Sequence, residues 1–274
     1  MPLTTLVIVI VSYNARIHLE NCLESLATSA PSTPHQIVVV DNASPDNSAD
    51  AVKRRWPHVT VIEQPSNAGF AAANNAGIRA STSELLLLLN SDTIVPAGAV
   101  DTLVARLAAR PDIAVAGPRL VDGSGRAELS FGRMISPFNE LRQKITMALY
   151  SRGVDAIRKQ VDRETQQEQL VDWVSGACLL VRRADAEAVG LLDERFFLYT
   201  EDVDFCAAIR ARGRGVLFAP AAQVVHLGGR SRRTIPAEAN RAYRRSHLAF
   251  YEKHHPRWAP VLRTYLRVKG QLPR

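Results

Sequence analysis

Short apolar runs that stop abruptly at polar residues set the plan of this chain. Residues 5–11, 37–40, 59–62 and 85–89 are β-branched or leucine-rich, the pattern of strands buried on both faces of a sheet. Between them, Ile17, Cys22, Leu23 and Leu26 recur at roughly helical spacing, 46–56 predicts a helix capped by Asp46 or Ser48, and 71–80 predicts an alanine-rich one. Val100, Leu103, Val104 and Leu107 fall at i, i+3, i+4 and i+7, a core-facing helix, and 113–116 is a further strand. Strand–helix–strand repeats of this kind give parallel strands through right-handed crossovers. The pattern weakens over 122–170: a turn at 122–125, a loosely periodic helix through Phe138, Leu141, Ile145 and Leu149, and a polar stretch at 162–169 predict an insertion or flap with no chemistry of its own. Order returns with one strand over 171–182, a helix from Glu201 to Gly213, and two short strands at 216–219 and 224–225.

The strand ends carry the candidate chemistry. Three runs end in Ser12, Asp41 and Asp92, and ligands of open α/β sheets bind at the carboxyl edge. Asp92 either holds a divalent cation, and through it a diphosphate, or caps the next turn. Asn74 either contacts a sugar or phosphate or closes a helical hydrogen bond. Glu201, Asp202 and Asp204 crowd three carboxylates into four residues; their plainest use is to complement a helix N-terminus, and catalysis is the alternative. His226 ends a late strand ahead of a loop rich in Gly and Arg.

Composition is that of an ordinary globular chain, 46% hydrophobic and 22% charged over 274 residues. Cys22, Cys178 and Cys206 lack metal-ligand spacing and read as core residues in a reducing compartment. Residues 6–11 lack the basic lead-in and cleavage site of a signal peptide, and no apolar run is long enough to cross a bilayer. The net charge of +7 is concentrated beyond position 229, where twelve Lys/Arg face two acidic residues. That segment suits an anionic partner. Aromatic residues are only 6% and no nucleic-acid motif is present, which disfavours nucleic acid. The absence of G-x-G-x-x-G, Walker and G-x-S-x-G patterns disfavours dinucleotide-binding domains, P-loop hydrolases and α/β-hydrolases.

Eight short motifs occur in order: Val11-Ser12-Tyr13-Asn14, Val40-Asp41-Asn42-Ala43-Ser44, Asn67-x-Gly69-Phe70, Asn74-x-x-Gly77, Leu89-Asn90-Ser91-Asp92, Trp173-x-Ser175-Gly176-Ala177, Phe196-Phe197-x-Tyr199-x-Glu201-Asp202-x-Asp204 and His226-x-x-Gly229-x-Ser231. Together they resemble the inverting glycosyltransferases of family two, of the GT-A fold, near the rhamnosyltransferase-like members. The resemblance implies an α/β fold with a Rossmann-like, mostly parallel central sheet flanked by helices. It implies a catalytic domain over 1–231, with a nucleotide-binding half to about 118 and an acceptor half beyond it. Residues 232–274 would follow as a basic amphipathic helical segment.

It also implies roles. Asp41 would read the pyrimidine imide, with Ser12, Tyr13 and Asn14 around the nucleoside. Asn67, Gly69, Phe70, Asn74, Asn90 and Ser91 would contact the donor. Asp92 and His226 would ligate Mg²⁺ or Mn²⁺, Asn90 standing where the family's metal motif has Asp. Asp202 would be the general base, oriented by Glu201, and Trp173, Ser175, Gly176 and Ala177 would line the sugar and acceptor site. Arg230 and Arg233 would clamp the diphosphate. The implied donor is dTDP-L-rhamnose, with a UDP-sugar as alternative, and the acceptor a glycan or lipid-linked glycan. A non-catalytic nucleotide-sugar scaffold and a nucleotidyltransferase are the rival readings. The C-terminal segment is either a helical cover on the catalytic domain or a contact with anionic lipid. The latter would suit a cytoplasmic protein at the inner membrane face.

Overall fold

The computed structural model describes residues 5–228 and 236–273. In chain order its elements are β1 (Leu6–Ser12), α1 (Arg16–Thr28), β2 (His35–Asp41), α2 (Ser48–Arg55), β3 (Thr60–Glu63), α3 (Phe70–Arg79), β4 (Leu85–Asn90), β5 (Thr93–Ile94), α4 (Ala99–Ala108), β6 (Ile113–Val121) and β7 (Phe131–Gly132). There follow α5 (Pro137–Ser151), α6 (Asp155–Glu164), β8 (Gln169–Val171), β9 (Trp173–Val174), β10 (Cys178–Arg182), α7 (Arg183–Ala188), α8 (Glu201–Ala211), β11 (Gly215–His226), α9 (Pro236–His254) and α10 (Ala259–Val268).

The main sheet runs β3-β2-β1-β4-β10-β6-β11-β5, with β8 on the side of β11. The first four strands are parallel, β10 enters antiparallel between β4 and β6, and β6 and β11 are again parallel. Apolar side chains alternate between the faces. Leu6, Ile8 and Ile10 meet Leu19, Leu23 and Leu26 of α1, in a cluster that also takes in Leu103 and Leu107 of α4. Val7, Val9 and Val11 share the opposite cluster with Ala71, Ala73 and Ile78 of α3 and Phe205, Cys206 and Ile209 of α8. The alanine-rich sequence of α3 has a steric cause: a Cβ on Gly77 would lie 2.4 Å from a methyl of Val9. Gly77→Ala is expected to cost ~1–3 kcal/mol through overpacking, read as a lower midpoint in urea unfolding.

Two expectations are corrected. The apolar stretch 171–182 is not one strand: a turn at 175–177 separates β9 from β10. The two short strands after 215 are one, β11, whose register slips against β6 between Ala219 and Gln223. The C-terminal segment forms α9 and α10, and α9 packs on the rest of the chain: Phe250 and Tyr251 join Phe196 and Val203 in a third cluster.

Candidate active site

Strand register assembles the site. Ser12 pairs with Asp41 across β1 and β2, and Val11 with Asn90 across β1 and β4, so three strand ends share one edge. Antiparallel pairing of β11 with β5 sets His226 opposite Thr93, next to Asp92. The result is an Asp92 Oδ1 to His226 Nε2 distance of 3.3 Å, with Asn90 Nδ2 at 3.5 Å from the same ring nitrogen.

The other ring nitrogen, Nδ1, lies 2.9 Å from Glu128 Oε2. Glu128 carries no local signature and falls in the 122–170 stretch expected to hold no chemistry of its own. It arrives by a hairpin: Asp122 closes the turn by accepting from Ser124 and Arg126, and the Glu128 amide donates to Leu120 O. β6 then carries it to β11. Burial disfavours a charged His226, but Asp92 and Glu128 outweigh it and raise the imidazole pKa to about 9. Burial likewise pushes Asp92 up, and His226 outweighs it, leaving the carboxyl below its ordinary range. Once its Nε2 proton is displaced, the imidazole, oriented from behind by Glu128, and the Asp92 carboxylate form a donor pair suited to a divalent cation. Among the described residues no group of three or more His, Cys, Asp or Glu is placed to hold a metal.

The acidic helix faces this pair across the 175–177 turn. Tyr199 and Thr200 both adopt left-handed backbone (φ +68°), a strained reversal that aims the first turn of α8 at the sheet edge. Asp202 Oδ2 accepts from Gly176 N at 2.8 Å and Oδ1 from its neighbour Val203 N at 2.8 Å. One residue on, Ala177 O accepts from Asn90 N at 3.0 Å. Burial raises the Asp202 pKa despite those two donors. Burial and the charge of Asp202 raise Glu201 well above the ordinary value. Glu201 Oε2 has no hydrogen-bond partner, and the contacts fixing Asp202 are backbone amides, not Glu201.

The expected donor residues ring the same edge. Asp41 is buried and accepts from Ser44 N and Ser48 Oγ, both at 3.0 Å, so it holds its own turn. Ser12 Oγ and Asn74 Oδ1 are buried without partners, while Asn74 Nδ2 closes a bond to Phe70 O. Tyr13 is exposed; Asn14 N donates to Ser44 Oγ. Asn67 Oδ1 accepts from Gly69 N and from Asn42 Nδ2, and Asn42 Oδ1 in turn accepts from Ala68 N. Asn42, a motif residue given no role by the sequence, is thus the brace of this loop. Gly69 (φ +87°) lets the chain pass the 197 carbonyl, which a Cβ would approach to 2.4 Å. Phe70 reaches Gly176, and Ser91 is buried beside Asp92. Trp173 Nε1 donates to Arg133 O, and Ser175 Oγ accepts from Ala177 N. Arg230 and Arg233 lie outside the described residues.

Comparison with known proteins bears on the family and the fold. Residues 7–188 match the model for glycosyl transferase family 2. N-acetylglucosaminyl-diphospho-decaprenol L-rhamnosyltransferase of Mycobacterium tuberculosis is 29% identical over 97% of this chain and 94% of its own length. Rhamnosyltransferase WbbL of Escherichia coli is 23% identical, over 87% and 89%. A mannosyltransferase from Pyrobaculum calidifontis, solved with GDP-Man and Mn²⁺, superposes with a TM-score of 0.62 at 19% identity, covering 94% of this chain and 67% of that one. GalNAc-T7, solved with UDP, GalNAc and Mn²⁺, gives 0.60 at 18% identity, covering 82% and 44%. The architecture is the GT-A fold of these structures.

Proposed function

The chain belongs to glycosyl transferase family 2, and from that premise we propose that it moves L-rhamnose from dTDP-L-rhamnose to a hydroxyl of a lipid-linked glycan, in one inverting displacement. The observation that carries this reading is the 175–177 turn. It ties Asp202 to the Asn90–Asp92 strand end through consecutive residues, so a base and a diphosphate site face one reaction centre. The names of the two rhamnosyltransferase relatives favour rhamnose, and that of the mycobacterial one favours a polyprenyl-diphosphate acceptor.

Asp92 and His226 would hold a divalent cation, with Asn90 and Ser91 beside them. Such a cation neutralises charge on the departing nucleoside diphosphate. Asp202 takes the acceptor proton onto its carboxylate as the hydroxyl oxygen attacks the anomeric carbon. Its raised pKa suits it to that task, and the amides of Gly176 and Val203 fix its orientation. Burial and the Asp202 charge push the Glu201 pKa up, which disfavours a second negative charge beside the base. Asp41, Ser12, Tyr13 and Asn14 take the nucleoside, with Asn67, Gly69, Phe70 and Asn74 around it. Each Asp41 oxygen keeps a second lone pair for the imide while holding its turn. Trp173, Ser175, Gly176 and Ala177 line the sugar side, and Arg230 and Arg233 are assigned to the diphosphate.

Glu128 is assigned to hold the His226 ring. Glu128→Gln is expected to weaken Mn²⁺ binding in the presence of dTDP by ~10–100-fold, measured by calorimetry. Unchanged affinity would show that the contact is incidental. The function itself is tested by release of nucleoside diphosphate from a panel of dTDP-, UDP- and GDP-sugars with Mn²⁺. Turnover of dTDP-L-rhamnose is expected. A UDP-sugar used in its place would overturn the donor, and nucleotide binding without turnover of any donor would favour the scaffold.

A further inference from the structure

Resting on the lipid-linked acceptor proposed above, we infer that α5 and α10 together form the face that docks on an anionic bilayer. The basic C-terminal segment does not act as one unit. α9 is a bracket: Lys253 and His254 grip Asp204 at 2.8 and 2.6 Å, and Tyr251 donates to Glu140 Oε2 at 2.9 Å. Its Phe250 and Tyr251 are buried.

What remains outward is α10 and, unexpectedly, α5 of the region that showed no chemistry in the sequence. On α10, Ala259, Leu262 and Leu266 face the protein, whereas Val261 and Val268 stand 57% and 81% exposed. On α5, Phe138 is 75% exposed and Leu141 59%, with Ile145 completing an i, i+3, i+7 stripe. The two stripes meet where the Phe138 and Trp258 rings pack edge to face, centroids 6.3 Å apart. A single exposed apolar side chain needs no explanation, but two exposed apolar stripes joined by an aromatic pair do.

Charge selects the occupant. Arg142 and Lys144 are exposed on either side of the α5 stripe. The one acid of α5, Glu140, is turned inward to His247 and Tyr251. Residues 255–274 carry five Lys/Arg and no acidic residue. An apolar ridge with cationic margins complements acidic lipid headgroups. Two copies meeting through this ridge would bring like charges together. Asp204, which holds α9, lies two residues from Asp202, so the ridge and the proposed base share one support.

The test uses full-length protein and phosphatidylcholine vesicles with and without phosphatidylglycerol. Wild type is expected to sediment with the anionic vesicles and to release as salt rises. Phe138→Asp with Ile145→Asp on α5, and Val261→Asp with Val268→Asp on α10, should each lower partitioning about tenfold or more. The exposed Leu170→Asp should not. Arg142→Glu with Lys144→Glu, which leaves the ridge intact, should lower binding to anionic vesicles alone. Donor hydrolysis in solution should be unchanged in all of them. If α10 variants release the protein and α5 variants do not, the two-helix face is wrong while the lipid-linked acceptor stands. If wild type ignores anionic vesicles yet glycosylates a diphosphate-linked acceptor embedded in them, the face is likewise wrong and the acceptor stands. Use of soluble acceptors alone would sink the acceptor reading itself. If the aspartate variants instead turn a dimer into a monomer with vesicle binding unchanged, the occupant is a second copy.

Discussion

Asp202→Asn is expected to lower transfer by ~10²–10⁴-fold while dTDP binds as it does to the wild type. The substitution keeps the shape of the side chain, but its single acceptor oxygen can serve only one of the two amides, Gly176 N or Val203 N, that now bind the carboxylate, so nucleotide binding is the check that the site stays assembled. It removes the site for the acceptor's proton on which the proposed chemistry depends. The pH profile sharpens the test. Burial raises the Asp202 pKa, so wild-type turnover should climb with pH as the carboxyl ionises, on a limb displaced above the ordinary aspartate value of 3.8. The variant should lose that limb together with the rate. Calorimetry that finds nucleotide binding abolished would make Asp202 a structural residue.

Asp92→Ala should remove ~10²–10³-fold of the activity, the scale of the several kcal/mol a divalent cation contributes to a departing phosphate. Chelator on the wild type should reproduce the loss, and chelator on the variant should add little. The fold should survive, because the backbone around Asp92 is held independently: Leu227 N donates to Asp92 O and Thr93 Oγ1 to Asn90 O. Undiminished turnover in EDTA would remove the cation from the mechanism.

The readable parts of the chain are those where one local pattern decides the outcome. β1, β2 and β4 are unbroken apolar runs that end in Ser12, Asp41 and Asn90, and parallel pairing brings such ends to one edge. The break between β9 and β10 was hidden because Val174 and Ala177 are as buried as strand residues, and only Gly176 marks the turn. β11 looked like two strands because Pro220 interrupts it; the bulge beside that proline keeps it whole. Glu128 had no local signature at all. Its partner lies 98 residues away, and only the hairpin and the β6–β11 pairing bring them together. The amphipathic character of the C-terminal segment was visible, but not its division of labour. Phe250 and Tyr251 of α9 turn inward, with Tyr251 bonded to Glu140 and His254 to Asp204, while α10 leaves aliphatic side chains outside.

One measurement reaches the central proposal, a single displacement at the anomeric carbon driven by Asp202. Proton NMR of the transferred sugar, followed from the first turnover, reports its anomeric configuration relative to the donor. A product of opposite configuration, formed by wild type and not by Asp202→Asn, is the expected result. Retained configuration, or inversion that proceeds unimpaired without the Asp202 carboxylate, would contradict it.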